Sequence, residues 1–493
     1  MGTLFRRSVK VPKGPPKGLA CTAALRHSAR MTKPVQGSPL LTLTAVCAVQ
    51  FMAPFMLTAV GVALPTLGRD LHASAVQLGL VVQLYALSLA AAMLTFGRLG
   101  DLLGRKRVFL AGLGVFTLLT ASLGLTTSIE LLLVQRFVQG LGAAVALSGS
   151  MALVASVFPL EMRGRVVGIV SGFTYAGVTL GPMIGGFVTS QWGWRMVFWM
   201  VVPLGALCCI LGYTRMRGEW REEGGKGMDW WGGALYGVSV SLAMLGASRL
   251  GAQAAVGGGM VVLGLVGFAL FVAREKGKED PLLDVSLFAN SRFFSLSCFA
   301  TMGVYAATLG VMFFMSLYLQ VAKGFSPDQA GLVLLVQPFL QTVLSPLAGR
   351  WADRVSQEML ANVGMAVCTA GLLLAALTLG PDTPLWLLVV VLVCIGGGVA
   401  LFVTPNTVII LSQVEPRHYG MASGIVGTMR TLGMAVSMTT ATLVFSLFMG
   451  GQAVTGETLP GFLASMQLCL AVFAAFSGLG LGASLGRGGR KRS

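Results

Sequence analysis

An all-α integral membrane protein is predicted, made of two six-helix bundles that are parallel pseudo-repeats plus two extra linker transmembrane helices, fourteen in total. Composition, the spacing of apolar runs and an internal repeat predict it. Of 493 residues, 55% are hydrophobic and only 11% charged, against about 25% charged in an ordinary soluble domain. The formal net charge is +17, yet the cations fall between long apolar runs. The expected partner is therefore the lipid bilayer with its anionic face, and not nucleic acid.

A membrane helix needs about 20 mainly apolar residues. Fourteen stretches qualify: 41–64, 76–98, 108–127, 131–156, 165–189, 195–214, 230–248, 254–273, 293–319, 329–349, 361–379, 385–411, 421–449 and 461–485. The seventh and eighth are rich in glycine, so a re-entrant pair is an alternative there. Basic loops stay cytoplasmic, and with both termini inside the outer segments hold only Arg69, Arg195, Arg249 and Lys323. Miscounting one helix in mid-chain would destroy that bias.

The runs divide the chain into a basic flexible N-terminal tail (1–38), an N-terminal six-helix bundle (39–218), two linker helices (229–273), a C-terminal six-helix bundle (292–486) and a basic cytoplasmic tail (487–493). The first 38 residues lack the apolar core of a secretory signal; a disordered tail, a transit peptide and a translation start at Met31 are the alternatives. Gly97, Arg98, Asp101 and Gly112 recur as Gly349, Arg350, Asp353 and Gly364, and Gly142-Ala-Ala-Val-Ala-Leu147 recurs as Gly396-Gly-Gly-Val-Ala-Leu401. Parallel six-helix repeats describe a two-bundle transporter whose small-molecule path lies between the bundles.

Enzyme chemistry finds little support. Seven of the eight cysteines sit in apolar runs without metal-ligand spacing, the three histidines are far apart, and no G-x-x-x-x-G-K-[ST] loop occurs. Neither a metal nor another cofactor is expected.

Gly97-Arg-Leu-Gly-Asp101-Leu-Leu-Gly104-Arg105-Lys106-Arg107 combines glycines for a tight reversal with one carboxylate among four cations, a charge-assisted latch that breaks when the bundles rock. In the fourth stretch, Arg136-Phe-Val-Gln139-Gly140 puts an ionisable group in the membrane, which is functional by default, unless Arg136 snorkels to the outer interface. In the fifth, Gly177, Gly181, Gly185 and Gly186 with Pro182 give close, kinked helix packing.

These three motifs resemble those of the major facilitator superfamily, over residues 40 to 485. The fifth-stretch pattern is similar to the antiporter motif of exporters there. Trp194-Arg195, Pro281-Leu-Leu-Asp284 and Gly424 through Arg430 to Gly433 resemble the fourteen-helix drug:proton antiporter branch. The resemblance implies alternating-access efflux of small amphiphilic compounds, drug-like or secondary metabolites, linked to the proton gradient of a bacterial-type plasma membrane.

The chain also departs from that branch. Met56 and Gly61 replace an acid and an asparagine of its first helix, and Val201 replaces a second asparagine. None of the eighteen acids falls in mid-helix, although proton antiport commonly uses a buried carboxylate. Three alternatives follow: a rim acid such as Asp101 titrates, a weakly acidic substrate carries its own proton, or transport is uncoupled. Arg430, about 14 Å into its helix by helix rise, makes the cavity neutral to positive and suits a neutral or anionic apolar substrate, unless it bonds nearby carbonyls. Further cavity candidates are Gln50, Gln83, Tyr85, Tyr175, Tyr305, Gln337, Gln341 and Asn406, although for any single one inter-helix bonding is the favoured role. Import of an organic anion, an uncoupled facilitator and a non-transporting sensor or scaffold are the competing functions.

Overall fold

The structure is a computed structural model describing residues 39–158, 160–216, 218–219, 227–278, 281–283, 285–352, 354–414, 419–450 and 452–487. The N-terminal segment 1–38, Asp284, Asp353 and residues 488–493 lie outside the described residues, as does the side chain of Asp101.

Apolar runs fold as helices because a chain without water must satisfy its backbone groups within each segment. The first half holds α1 (Pro39–Asp70), α2 (Ala75–Leu103), α3 (Arg105–Leu123), α4 (Ile129–Val157), α5 (Leu160–Trp192), α6 (Trp194–Trp199) and α7 (Val202–Arg215). The linkers are α8 (Trp230–Arg249) and α9 (Ala254–Glu275). After the short α10 (Val285–Asn290), the second half holds α11 (Arg292–Leu317) with a π-turn (Tyr318–Ala322), α12 (Pro327–Leu334), α13 (Val336–Ala352), α14 (Gln357–Thr378), α15 (Leu385–Ser412), α16 (Tyr419–Phe448) and α17 (Leu459–Leu485).

Two expected rods are broken, each by a proline. A proline ring clashes with the carbonyl four residues back; Pro203 and Pro338 stand four residues after Trp199 and Leu334, where α6 and α12 end. Among the described residues twelve helices are long and apolar enough to cross a membrane, not the fourteen expected. The exceptions, α5 and α8, form with 33 and 20 residues, but their glycines and hydroxyls dilute their apolar content. Linkers α8 and α9 run antiparallel, so close that a Cβ on Gly264 would stand 2.5 Å from Ala243 N.

The repeat is visible in the packing. A Cβ on Gly112 would meet Ala146 N at 2.6 Å across α3 and α4, and its counterpart Gly364 would meet Gly398 O at 2.6 Å across α14 and α15. Helices α1 to α7 pack as one bundle and α11 to α17 as another, joined where α2 meets α16 and α5 meets α12 and α13. Linker α8 lies against both α2 and α16 and so covers the first of these seams. The end of the molecule carrying Arg98, Arg105 and Arg350 is called the basic end below, and the opposite one the far end.

Candidate functional site

Along its length, α5 shows how the bundles meet. Residues 168, 172, 175, 179, 182 and 186 share one helical face. Toward the far end this face is closed: Thr179 Oγ1 lies 2.8 Å from Thr342 Oγ1 and donates to Pro338 O at 3.2 Å, while a Cβ on Gly186 would strike Pro327 O and one on Gly331 would strike Pro182 O. Elsewhere at this end Ser316 donates to Gly61 O at 2.8 Å, Gln320 to Val62 O at 2.9 Å and Ala75 N to Gln452 O at 2.9 Å. Toward the basic end Gly168 and Gly172 are exposed, with nothing within 4 Å of a Cβ. The α2–α16 seam, by contrast, stays in contact down to Met93 Cε, 3.3 Å from a Cβ on Gly427. The bundles therefore form a cleft zipped at the far end and open between α5 and α13 at the basic end.

At the depth where the zip ends, Tyr175 lies within electrostatic reach of Tyr305 and Arg430. Their relative placement follows from α16, where Gly433, one turn after Arg430, brings a Cβ within 2.9 Å of Tyr305 Cβ. Arg430 is half-buried. The carbonyl-bonding alternative fails: among the described residues its guanidinium makes no hydrogen bond or ion pair.

Most other polar candidates serve the scaffold. Arg136 does not snorkel: it is fully buried inside the first bundle, stacked 4.4 Å from the Tyr85 ring centroid. Its Nε donates to Val81 O at 3.1 Å and Nη1 to Gln139 Oε1 at 2.5 Å, while Nη2 has no partner. Gln139 donates on to Thr120 Oγ1 at 2.7 Å, and Tyr85 Oη to Ala53 O at 3.1 Å. Gln83 ties the α2–α16 seam to the linker, donating to Ser248 Oγ at 2.7 Å and Thr439 Oγ1 at 3.0 Å. Gln50 accepts from Thr174 within the first bundle at 3.0 Å. Gln337 is buried with Oε1 unpartnered, and Gln341 is half-buried.

Asn406 is also internal, donating to Ser297 O at 3.1 Å and Thr301 Oγ1 at 2.9 Å. Its Oδ1 accepts from Arg487 Nη1 at 2.8 Å. Arg487, expected in the tail, is instead buried in the second bundle and bonds Ser297 Oγ at 2.9 Å and Ser484 O at 3.1 Å. Burial pulls its pKa down to about 10, against the opposing pull of Glu358.

In the expected latch, Asp101 stands in the last turn of α2. Gly104 breaks α2 from α3 at φ +112°, in the region that favours glycine, and a Cβ there would meet Glu219 Oε1 at 2.5 Å. Glu219, which the motif reading missed, accepts from Lys106 N at 3.0 Å and pairs with Arg107 at 3.4 Å. Gly97 has room around it, and Arg105 donates to Ser156 Oγ at 2.5 Å. Sequence reading also missed Glu275, the buried last residue of α9, which accepts from Lys278 at 2.9 Å and Leu283 N at 3.3 Å. It stands at a helix end, so no described acid is in mid-helix. Of the glycine motif, Gly177, Gly181 and Gly185 pack on α1, while Gly186 faces α12.

Known proteins share this architecture. The chain is 29% identical over 408 residues to the riboflavin transporter RibZ of Clostridioides difficile, covering 83% of this chain and 88% of that protein. It is 32% identical over 401 residues to the multidrug resistance protein Stp of Mycobacterium tuberculosis (80% and 74%). A tetracenomycin C resistance and export protein of Streptomyces glaucescens is 29% identical over 433 residues (86% and 78%). The solved structure of a bacterial homologue of the human lysosomal transporter spinster, inward-facing and unoccupied, superposes with a TM-score of 0.63 at 18% identity, covering 91% of this chain and 97% of that one. With the family model matched over residues 46–438 of two helical bundles hinged about a cleft, this chain belongs to the Major Facilitator Superfamily.

Proposed function

We propose that this transporter exports small amphiphilic compounds, neutral or anionic, by alternating access, with the basic end and both termini on the cytoplasmic side of a bacterial-type plasma membrane. The carrying observation is Arg430: a half-buried guanidinium without a protein partner, beside tyrosines from opposite bundles, at the closed floor of a cleft open to the basic end. An anionic group entering there gains a charge-assisted hydrogen bond and loses little, because no protein bond must first be broken. Tyr175 and Tyr305 offer hydroxyls and apolar ring faces to the rest of the molecule. Substrate then shifts the balance toward the opposite state, in which the far-end zip opens and the basic end closes, only insofar as it binds that state better. The latch around Asp101, Gly104 and Arg105, with Glu219 at its edge, is the element that would re-form at each cycle.

Export is favoured over import by the Gly177 to Gly186 pattern and by relatives named for drug resistance. The resemblance of Trp194-Arg195, Pro281-Leu-Leu-Asp284 and Gly424 through Arg430 to Gly433 supports the drug:proton antiporter branch, with twelve helices, not fourteen, long and apolar enough to span among the described residues. Import of a small organic anion is the second reading; one relative is named for riboflavin transport and not for drug resistance. For coupling, the rim acid Asp101, a proton-carrying weak acid and uncoupled movement are the competing routes. Transport by reconstituted vesicles, with and without an imposed pH gradient, over compounds spanning charge, tests this. Faster movement of neutral and anionic amphiphiles than of cations is expected; preference for lipophilic cations would refute the charge assignment.

A further inference from the structure

Pro65 stands inside α1. Proline has no N–H, so the carbonyl four residues back, Gly61 O, is left without its ordinary intrahelical donor. A carbonyl buried within the membrane needs a partner from elsewhere, because no water is at hand there. The partner comes from the other bundle: Ser316 Oγ, on α11, donates to Gly61 O at 2.8 Å. Ser316 is itself fully buried. The surroundings offer no substitute. Gly61 borders a hollow of about 10 Å³ walled by Leu57, Val62, Val82, Leu309 and Phe313. Among the described residues lining it Thr58 alone carries a hydroxyl, which returns to Pro54 O at 3.2 Å. Such a volume just admits one water, and a stable one needs two or more polar partners.

The neighbouring contact differs in kind. Gln320 Nε2 donates to Val62 O at 2.9 Å and to Ser316 Oγ at 3.2 Å. Four residues after Val62 stands Thr66, which has an N–H, so α1 can serve the Val62 carbonyl by itself. Gln320 Oε1, meanwhile, is buried without a partner. Closing the bundles around Gln320 therefore gains a bond and strands an acceptor, and the two effects oppose each other. Closing them around Ser316 satisfies a carbonyl that α1 cannot satisfy.

We propose that Gly61 O is the switching group of a far-end gate: Pro65 denies it a donor within α1, and Ser316 supplies one only while the bundles are zipped. The pair thereby biases the protein toward the state open at the basic end. Parting the bundles strands the carbonyl until water enters from the far side, so opening is tied to hydration of that end. The balance of states is set by a proline on one bundle and a serine on the other. The device acts in either direction of transport and does not rest on the substrate assignment.

Pulsed dipolar distances between spin labels at the exposed Thr127 and Glu457, in the full chain in lipid nanodiscs, test it as a double-mutant cycle. Ser316→Ala should shift the population toward the far-end-open state about tenfold, the effect of leaving a buried carbonyl unpaired, read as a longer distance. Pro65→Ala returns an N–H to α1, and in that background Ser316→Ala should change nothing further. Gln320→Leu should stay close to the wild-type distribution. An unchanged distance in Ser316→Ala, or the same lengthening with and without Pro65, would overturn the proposal. Should Pro65→Ala fail to fold, Gln320→Leu decides: a lengthening as large as that of Ser316→Ala would mean that any lost bond between the bundles suffices, and refutes the special role of Gly61 O.

Discussion

Adding one methyl group at Gly186 should drive the transporter out of the conformation described here. A Cβ at that position runs into Pro327 O, with Pro327 C at 3.0 Å and Asp328 Cα at 3.3 Å. All three are backbone atoms of α12 in the other bundle, so no side-chain rotation relieves the clash. Overpacking of this kind costs about 1–3 kcal/mol, which at 1.4 kcal/mol per decade shifts the balance of states about 5- to 140-fold. Because the contact joins the two bundles only while the far end is closed, the cost falls on one state and not on folding. Gly185→Ala is the control: its Cβ would meet Ala59 Cα at 2.8 Å, within the same bundle, and should lower stability without favouring either state. Spin labels at the exposed positions Thr127 and Glu457, one on each bundle at the far end, report their separation by pulsed dipolar spectroscopy. A longer distance in Gly186→Ala than in wild type is expected. An unchanged distribution in Gly186→Ala, or the same lengthening in Gly185→Ala, would refute the reasoning.

Arg430→Ala should reduce vesicle transport of anionic substrates by at least about tenfold, the worth of one charge-assisted hydrogen bond, and of neutral ones less; equal loss contradicts charge recognition. Gln83→Leu removes the bonds that hold α8 to α2 and α16 and should destabilise the solubilised protein by about 1–2 kcal/mol at the usual value for bonds between membrane helices, read as a lower unfolding temperature. Arg487→Met should cost about 1–3 kcal/mol because it strands the Asn406 and Ser297 acceptors, and adding Asn406→Leu should cost less than the sum of the two single changes. Asp101→Asn should slow transport at unchanged unfolding temperature; wild-type rates would remove its role in the latch.

How far the sequence could be read depends on the range of the interaction concerned. Apolar run length is local, so the helices lie where the runs do, and the breaks at Trp199 and Leu334 follow from prolines four residues on. The shared face of Gly168, Tyr175, Thr179 and Gly186 is likewise fixed by helical period. What lies opposite a face is not. Gln83, Arg136, Gln139 and Asn406 all carry the same signal, a polar group within an apolar run, which says only that a partner is needed. All four find protein partners on other helices, and Gln139 also bridges Arg136 to Thr120. Arg430 alone among the candidate arginines is left open to the cleft, and nothing in its local sequence separates it from Arg136. Glu219 stands 113 residues from Lys106, in a loop without motif, and no sequence signal pointed to it. Arg487 follows the last apolar run and reads as a tail residue, because its acceptors lie 81 and 190 residues away.

The placement of charge also limits what the cleft can attract. Arg136 is buried in one bundle and Arg487 in the other, each bonded to neutral oxygens. Glu358 lies within electrostatic reach of Arg487 and offsets part of its charge, whereas Arg136, faced by Tyr85 and by no carboxylate, keeps its field because the surroundings screen weakly. The first bundle thus contributes positive potential to the space between the two, to which Arg430 adds a charge at the floor. No described carboxylate stands in mid-helix to offset them; Glu275 and Glu219 lie at the basic end, each already engaged by cations. A permanent cation entering the cleft would meet this field without compensation, while an anion or an acid able to ionise would be favoured before touching any residue. On the proposed function, exclusion of cations would rest on the whole arrangement, and selection among anions on Arg430 and its two tyrosines. Loss of Arg430 should accordingly weaken anion transport without opening the path to cations.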